Sequence, residues 1–426
     1  MGQLEEVNEL SIELSTDGLS RLTSVLSSLK HLAKVGVVFK APQQEDLQMD
    51  LSVLESIPTL PNIKSAFFTF GIEFDMAILE ILLARFPKLK KFGVDSRYTP
   101  RCIVRTLAKY CPEITVLSLS TFSGLGDELL DEFCRDLQHN YAGQLKEFSM
   151  IFFNDWPIYS ERFTRNLFKS FYSLEKLKLS GVRLNNSIVQ SLAESLSPKL
   201  KRLDLSCISY RNLFTYESWD SLFARVGHHL EDLTLVGAFL PPHIGDSIAQ
   251  HCASLEKLSL ASTNIKDDSI HAIAHSYGYK LRHLDVSDTE VTQAGLQSIF
   301  ENCHRLQCLG FAKLSSRPNF SDSFSTFLSQ HGNQLERLNL SHLPMRDSIL
   351  AQIAQYGYNL RELIITDQPG VTDPAVTNLM NTCLKLTKLS VTRYSRTTQS
   401  LSSNMLALIN DHYIRVDYPA GFTRRL

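Results

Sequence analysis

Cys252-Ala-Ser-Leu255-Glu-Lys-Leu258-Ser-Leu260 is answered by Leu281-Arg-His-Leu284-Asp-Val286 and again by Cys303-His-Arg-Leu306-Gln-Cys-Leu309-Gly-Phe311. One pattern, L-x-x-L-x-L, returns with steps of 26 and 25 residues. A fixed short period means that each unit is one supersecondary element and buries its apolar side against its neighbours, as in a solenoid. Within a unit the alternation around L-x-L has period two, which turns the leucines inward and the intervening residues outward on a strand. The second half carries helical spacing, as at Ile270 and Ile273, Leu296 and Ile299, or Ile349 and Ile353.

Carried outward, the template places its first apolar residue at Val7, Leu32, Ile63, Leu89, Ile114, Leu145, Leu174, Leu200, Leu230, Leu255, Leu281, Leu306, Leu335, Leu360 and Leu386. The expected fold is therefore α/β, a leucine-rich-repeat solenoid of about fifteen repeats, with a curved parallel sheet on the concave face and helices on the convex face. A single domain over 1–426 is expected: degenerate repeats in 1–110, regular repeats in 111–400, and a C-terminal cap and tail in 401–426. The weakest match is Ile63-x-x-Ala66-x-Phe68, and 401–409 and 413–418 read as a closing helix and strand. Thr292, Asp347 and Asp373-Pro374 are placed to cap helices.

Lys and Arg total 43 against 45 Asp and Glu, so the net charge of −2 gives no reason to expect nucleic acid or an anionic membrane surface as partner. No apolar run reaches membrane-spanning length, and no membrane insertion is expected. The eight cysteines form no C-x-x-C pair, and Cys111, Cys252, Cys303 and Cys383 stand three residues before a repeat's first leucine. They read as small buried hydrophobes, not a disulfide framework, which together with the absence of a signal peptide suggests a cytoplasmic or nuclear protein.

Cys111-Pro-Glu-Ile114-x-x-Leu117-x-Leu119 and Val371-Thr372-Asp373 resemble the cysteine-containing class of leucine-rich repeats, found in F-box/leucine-rich-repeat proteins. Two departures stand out. Thr263 and Thr289 occupy the place of the second consensus cysteine, and no F-box is expected ahead of Val7-x-x-Leu10-x-Ile12. The resemblance implies a protein-protein interaction module, a substrate-recognition or regulatory subunit in ubiquitin-dependent turnover, with ubiquitin-ligase components among its partners. The alternatives are a scaffold unrelated to ubiquitin, or a small-molecule sensor with a ligand in the concave pocket.

The outward strand positions supply one set of candidate contacts: Lys176, Lys178, Arg202, Asp204, Asp232, Lys257, His283, Asp285 and Arg337, followed by Ser180, Ser206, Ser287 and Ser341. They describe either a partner groove or a solvated sheet whose neighbouring charges pair with one another. Insertions supply a second set on edge loops, Phe152, Phe153, Trp156 and Tyr159, then Tyr210, Phe214, Tyr216 and Trp219. Aromatic anchors of this kind are enriched in interface hot spots, and the same rings could equally fill wider coils. Insertion 315–324 reads as a polar surface loop, and 41–50 as an acidic mobile segment.

Chemistry has little support. His271 and His275 are four apart on a helix, but position 272 is Ala and no third ligand is apparent. There is no phosphate loop, no G-x-S-x-G and no paired-cysteine motif. Neither a cofactor, a metal nor a catalytic residue is expected, and the chain does not read as an enzyme.

Overall fold

A computed structural model describes residues 9–14, 24–26, 31–39, 51–70, 76–96, 102–120, 127–151, 161–168, 171–182, 184–207, 215–316, 318–368, 370–391, 405 and 409. Fifteen strands lie among them: β1 Glu9–Leu14, β2 Lys34–Phe39, β3 Ser65–Phe70, β4 Lys91–Ser96, β5 Val116–Ser120, β6 Glu147–Ile151, β7 Lys176–Val182, β8 Arg202–Cys207, β9 Asp232–Thr234, β10 Lys257–Ser259, β11 His283–Asp285, β12 Cys308–Gly310, β13 Arg337–Asn339, β14 Glu362–Ile364 and β15 Lys388–Ser390. Each begins two residues after a first apolar residue of the template, the weak match at Ile63 included. The strands follow one another in chain order, and the registered pairs are parallel, which is the leucine-rich-repeat fold.

The chain divides into two compact units, Met1–Arg183 with Ser187–Arg202, and Leu184–Asn186 with Leu203–Leu426. In the first unit β1–β4 run six residues each. In the second, β9–β15 shorten to three. A periodic turn accompanies these short strands. Two residues beyond the third leucine position the backbone enters the left-handed region, at Gly237 (φ 74°), Ser262 (55°), Asp288 (58°), Lys313 (52°), His342 (58°) and Asp367 (57°). Beyond the glycine, the side chains at these turns link neighbouring coils: Ser262 Oγ donates to Asp288 Oδ2 (3.0 Å), Lys313 Nζ meets Asp288 Oδ1 (3.0 Å), and His342 Nδ1 lies 3.2 Å from Asp367 Oδ2.

The core of the second unit lies between sheet and helices. Leu233, Leu258, Leu284, Leu309, Leu338, Leu363 and Leu389 stand in register and are buried. The helix Asp267–Tyr277 turns Ile270, Ile273, Ala274 and Tyr277 onto them. Burying a leucine or isoleucine contributes about 1.5–3 kcal/mol, so stacked coils gain what one coil cannot.

Three residues before the first leucine, the cysteines alternate with glycines: Gly227, Cys252, Gly278, Cys303, Gly332, Gly357 and Cys383. A Cβ on Gly227 would stand 3.0 Å from Cys252 Sγ and 2.9 Å from His251 O, so only small residues fit this stack. Cys111 Sγ donates to Phe86 O (3.5 Å) and Cys383 Sγ to Gly357 O (3.6 Å), each reaching the end of the preceding coil's helical half. Burial pushes the Cys111, Cys252 and Cys303 thiols up to about 12, which makes them inert packing groups. Where the consensus has its second cysteine, Thr263 Oγ1 and Thr289 Oγ1 close their own turns by donating to Leu260 O and Val286 O, both at 2.6 Å.

Three expectations about local structure change. Thr292 does cap its helix, accepting from Ala294 N, but Asp347 is the first helical residue, with Arg346 at the cap. The Asp347 carboxylate instead reaches the next coil, accepting from Thr372 N (2.9 Å) and Thr372 Oγ1 (2.7 Å). Asp267 does the same to Thr292, at 2.8 and 2.5 Å. Asp373 is likewise first in its helix, behind Thr372 at the cap. The polar reading of 315–324 also fails, because helix Ser321–His331 starts inside it and buries Phe324 with Phe320 against Phe311. Segments 41–50 and 413–418 lie outside the described residues, and of 401–409 only Met405 and Ile409 are described, both helical and buried.

The Asp267 contact depends on a glycine. A Cβ on Gly295 would stand 2.5 Å from Asp267 Oδ1 and 2.8 Å from Val291 Cγ1. Helix propensity alone favours Gly295→Ala by roughly 1 kcal/mol. The crowding reverses the sign, and denaturant unfolding is expected to show a loss of about 1–3 kcal/mol. A stabilised variant would mean that Asp267 does not bridge the two coils.

Candidate functional site

Outward positions of β9–β15 form two rows across the sheet. The first reads Asp232, Lys257, His283, Cys308, Arg337, Glu362, Lys388, and the second Thr234, Ser259, Asp285, Gly310, Asn339, Ile364, Ser390. Parallel pairing holds neighbours in a row about 4.8 Å apart at the backbone. A groove of about 390 Å³ lies over them from β9 to β14, wholly within the second unit. It gathers Asp232, Lys257, His283, Asp285 and Arg337 from the expected set.

Its cations differ from those that pair across one strand step. In the first unit Lys34 pairs with Glu9 (3.0 Å) and Lys176 with Glu147 (2.7 Å), each across one strand step. The position before the first row pairs too, as in Arg282 with Glu256 (3.5 Å) and Arg361 with Glu336 (3.9 Å). Lys257 stands in register beside Asp232, and Arg337 beside Glu362. Among the described residues, neither Lys257 nor Arg337 is ion-paired with a carboxylate within 4.0 Å.

Both cations act on the middle of the groove. Burial lowers the His283 pKa from its ordinary 6.5, and the Lys257 and Arg337 charges lower it further against the opposing pull of Asp232 and Glu336. His283 Nδ1 is buried with no hydrogen-bond partner. Burial pushes the Cys308 thiol up, while Arg337 pulls it down by charge and by a hydrogen bond. Position 310 leaves the floor open, because a Cβ there would meet Asp285 Oδ1 at 2.6 Å. The same Asp285 oxygen accepts from Ser287 N (3.0 Å).

The rest of the expected set disperses. Lys176, Lys178 and Arg202 belong to the first unit, and Lys176 is already paired with Glu147. Asp204, in the second unit, accepts from Ser206 Oγ (2.6 Å). Ser287 and Ser341 are not a free polar floor: their Oγ atoms accept from Ala312 N (3.0 Å) and Thr366 N (3.1 Å) of the next coils. Of the aromatic edge set, Phe152, Phe153, Trp156, Tyr159, Tyr210 and Phe214 lie outside the described residues. Tyr216 is half-buried and opens the helix Tyr216–Val226. Trp219 corrects the edge-loop reading, for it is 0% exposed, its ring 5.8 Å from that of Phe223. At helical spacing from Leu222, Phe223 and Val226 it lies on the buried face of its helix.

Thr234, Ser259, Cys308, Gly310 and Asn339, outward positions of the same strands by the leucine register, also line the groove, as do Glu362 and Ile364, which stand outside the expected set. Continuing the L-x-L register by one repeat finds Glu362 and Ile364; the uncharged members carry no sequence signal that separates them from other outward residues.

His271 and His275 stack with ring centroids 6.1 Å apart, and His271 Nδ1 meets Ser298 Oγ at 3.2 Å. Among the described residues no group of three His, Cys, Asp or Glu is placed to hold a metal, and no helix is long and apolar enough to cross a membrane.

No protein-family model and no curated protein matches the sequence. Among solved structures the chain is similar to one in the crystal structure of the Rad7 and Elc1 complex in yeast, with a TM-score of 0.53 and 15% identity, covering 93% of this chain and 90% of that chain. The likeness extends over nearly the full length of both and concerns the fold.

Two measurements check this description. Trp219→Ala is expected to cost about 3–5 kcal/mol in denaturant unfolding, as for a core aromatic; a near-neutral value would return Trp219 to the surface. His283 binds its proton more weakly in the folded chain, so the unfolded chain holds more protons just below the ordinary value of 6.5. The stabilising contribution of its neutral form is therefore complete above that value and falls as pH drops through the folded pKa. Between about pH 7.5 and about pH 5.5, His283→Gln is expected to lose less stability than the wild type. Equal losses would show that His283 is not desolvated.

Proposed function

We propose that the chain is a non-enzymatic protein-protein interaction module whose groove over β9–β14 receives a partner. The observation that carries this reading is the contrast in charge. Lys34 and Lys176 are each neutralised by a neighbouring carboxylate, whereas Lys257 and Arg337 line a recess and carry no such pair. A surface pair contributes only about 0–1 kcal/mol, so forgoing one costs the fold little and leaves two charges available for binding.

The finer form of the proposal is a substrate-recognition or regulatory subunit in ubiquitin-dependent turnover. It is supported by the resemblance of the repeats to those of F-box/leucine-rich-repeat proteins, and by the full-length likeness to a chain in the Rad7–Elc1 complex. Ubiquitin-ligase components are then the partners to look for.

Capture from native extract with the wild type and the Lys257→Glu/Arg337→Glu variant tests both forms, read by quantitative mass spectrometry. Charge reversal is expected to lower recovery of at least one protein about tenfold, with the melting temperature within about 2 °C of wild type. An identical set of recovered proteins would remove the groove from the interface. A ligase adaptor or cullin in the wild-type set supports the turnover form; a reproducible partner set without one reduces the function to a scaffold.

A further inference from the structure

The geometry points to the chemistry of the occupant: we infer that the centre of the groove receives one carboxylate side chain, Asp or Glu, from an extended partner segment lying across β9–β14. The inference rests on the protein-binding reading above and names what that reading leaves open.

Three observations converge on it. Lys257 and Arg337 each have an acidic register neighbour on the outer side, Asp232 and Glu362, and neither forms an ion pair with it. In register Lys257 stands beside His283 and Arg337 beside Cys308, so the two cations bracket the centre of the groove. Two positive charges are thus directed at a half-buried spot, where effective dielectric is lower than in water and an anion gains more. The guanidinium beside Cys308 offers a planar fork that suits a planar carboxylate.

The second observation concerns the size of the charge. Asp285 is fixed one outward position further along β11 by Ser287 N and is uncovered because position 310 is glycine. A phosphorylated side chain brings about −1.5 to −2 charge and would meet this carboxylate at close range. A single carboxylate carries half as much, and Asp285 then accepts from an N–H of the same segment.

The third is length. The groove crosses six strands, five steps of about 4.8 Å, which matches about seven residues of extended chain. Such a segment turns every second side chain toward the floor, and Glu362 favours a basic or uncharged residue beside the acidic one. A small molecule would leave most of that length empty.

A displayed random peptide library, selected on the full chain and counter-selected on Lys257→Gln/Arg337→Gln, tests the inference. The enriched sequences are expected to share one acidic position, and a synthetic peptide with Gln there to bind about tenfold more weakly, the loss of one charge-assisted contact. The phosphoserine version is expected to bind no more tightly to the wild type and to gain at least tenfold on Asp285→Asn. Wild-type preference for phosphoserine over Glu by tenfold or more would overturn the choice of a carboxylate. Groove-dependent peptides without a shared acidic position would overturn the inference and leave the groove as a protein site. Selection of no peptide that depends on Lys257 and Arg337 would overturn both.

Discussion

A strand of three residues cannot hold itself, and this constraint governs the second unit. The backbone groups of β10 are satisfied by β9 on one side and β11 on the other, and Leu258 is buried only because Leu233 and Leu284 stand beside it. Everything that fixes the spacing between coils therefore fixes the whole array. The Asp267–Thr292 and Asp347–Thr372 bridges do this on the helical side. The left-handed turn residues do it at the strand ends, and the Cys/Gly stack does it where helix returns to strand. A non-glycine residue in the left-handed region carries a cost of about 1–3 kcal/mol, here spread over sites that are interlinked across coils.

The same spacing creates the candidate site. Register sets outward side chains in rows, so the chemistry of the groove is decided by which residue types fall beside one another on consecutive strands. Where Glu147 and Lys176 are adjacent, the two charges neutralise each other. The row through Asp232, Lys257, His283, Cys308, Arg337 and Glu362 leaves its two groove cations without such a pair. Two uncharged or titratable residues separate the cations, and the glycine at 310 opens space below. On the proposed reading, the partner surface lies where charge pairing is interrupted.

His283 and Cys308 lie at the centre of that interruption, yet neither shows the features of a reactive group. Burial lowers one pKa and raises the other, so both are neutral near pH 7. They serve as a low-polarity floor against which the Lys257 and Arg337 charges are felt more strongly. The buried cysteines of the coil stack are more inert still: of the eight cysteines, Cys111, Cys252, Cys303 and Cys383 fill a place suited to small side chains.

By itself the sequence determined the repeat. The leucine period located all fifteen strands to the residue, even at Ile63 with its Ala66 and Phe68, because a misplaced register would turn an entire apolar row to solvent. It also determined the burial of Cys111, Cys252, Cys303 and Cys383. Tertiary structure alone decided what period cannot encode. Trp219 sits on the inner face of a helix because its spacing to Leu222 and Val226 outweighs its place after an insertion. Asp347 bridges to Thr372 of the next coil, a contact 25 residues away in the chain. Which outward charges pair depends on side-chain direction between coils, and the sequence lists the same residue types at Lys176 and Lys257 for opposite outcomes. Period is a local property of the chain; pairing is a property of neighbours brought together only by the stacking of coils.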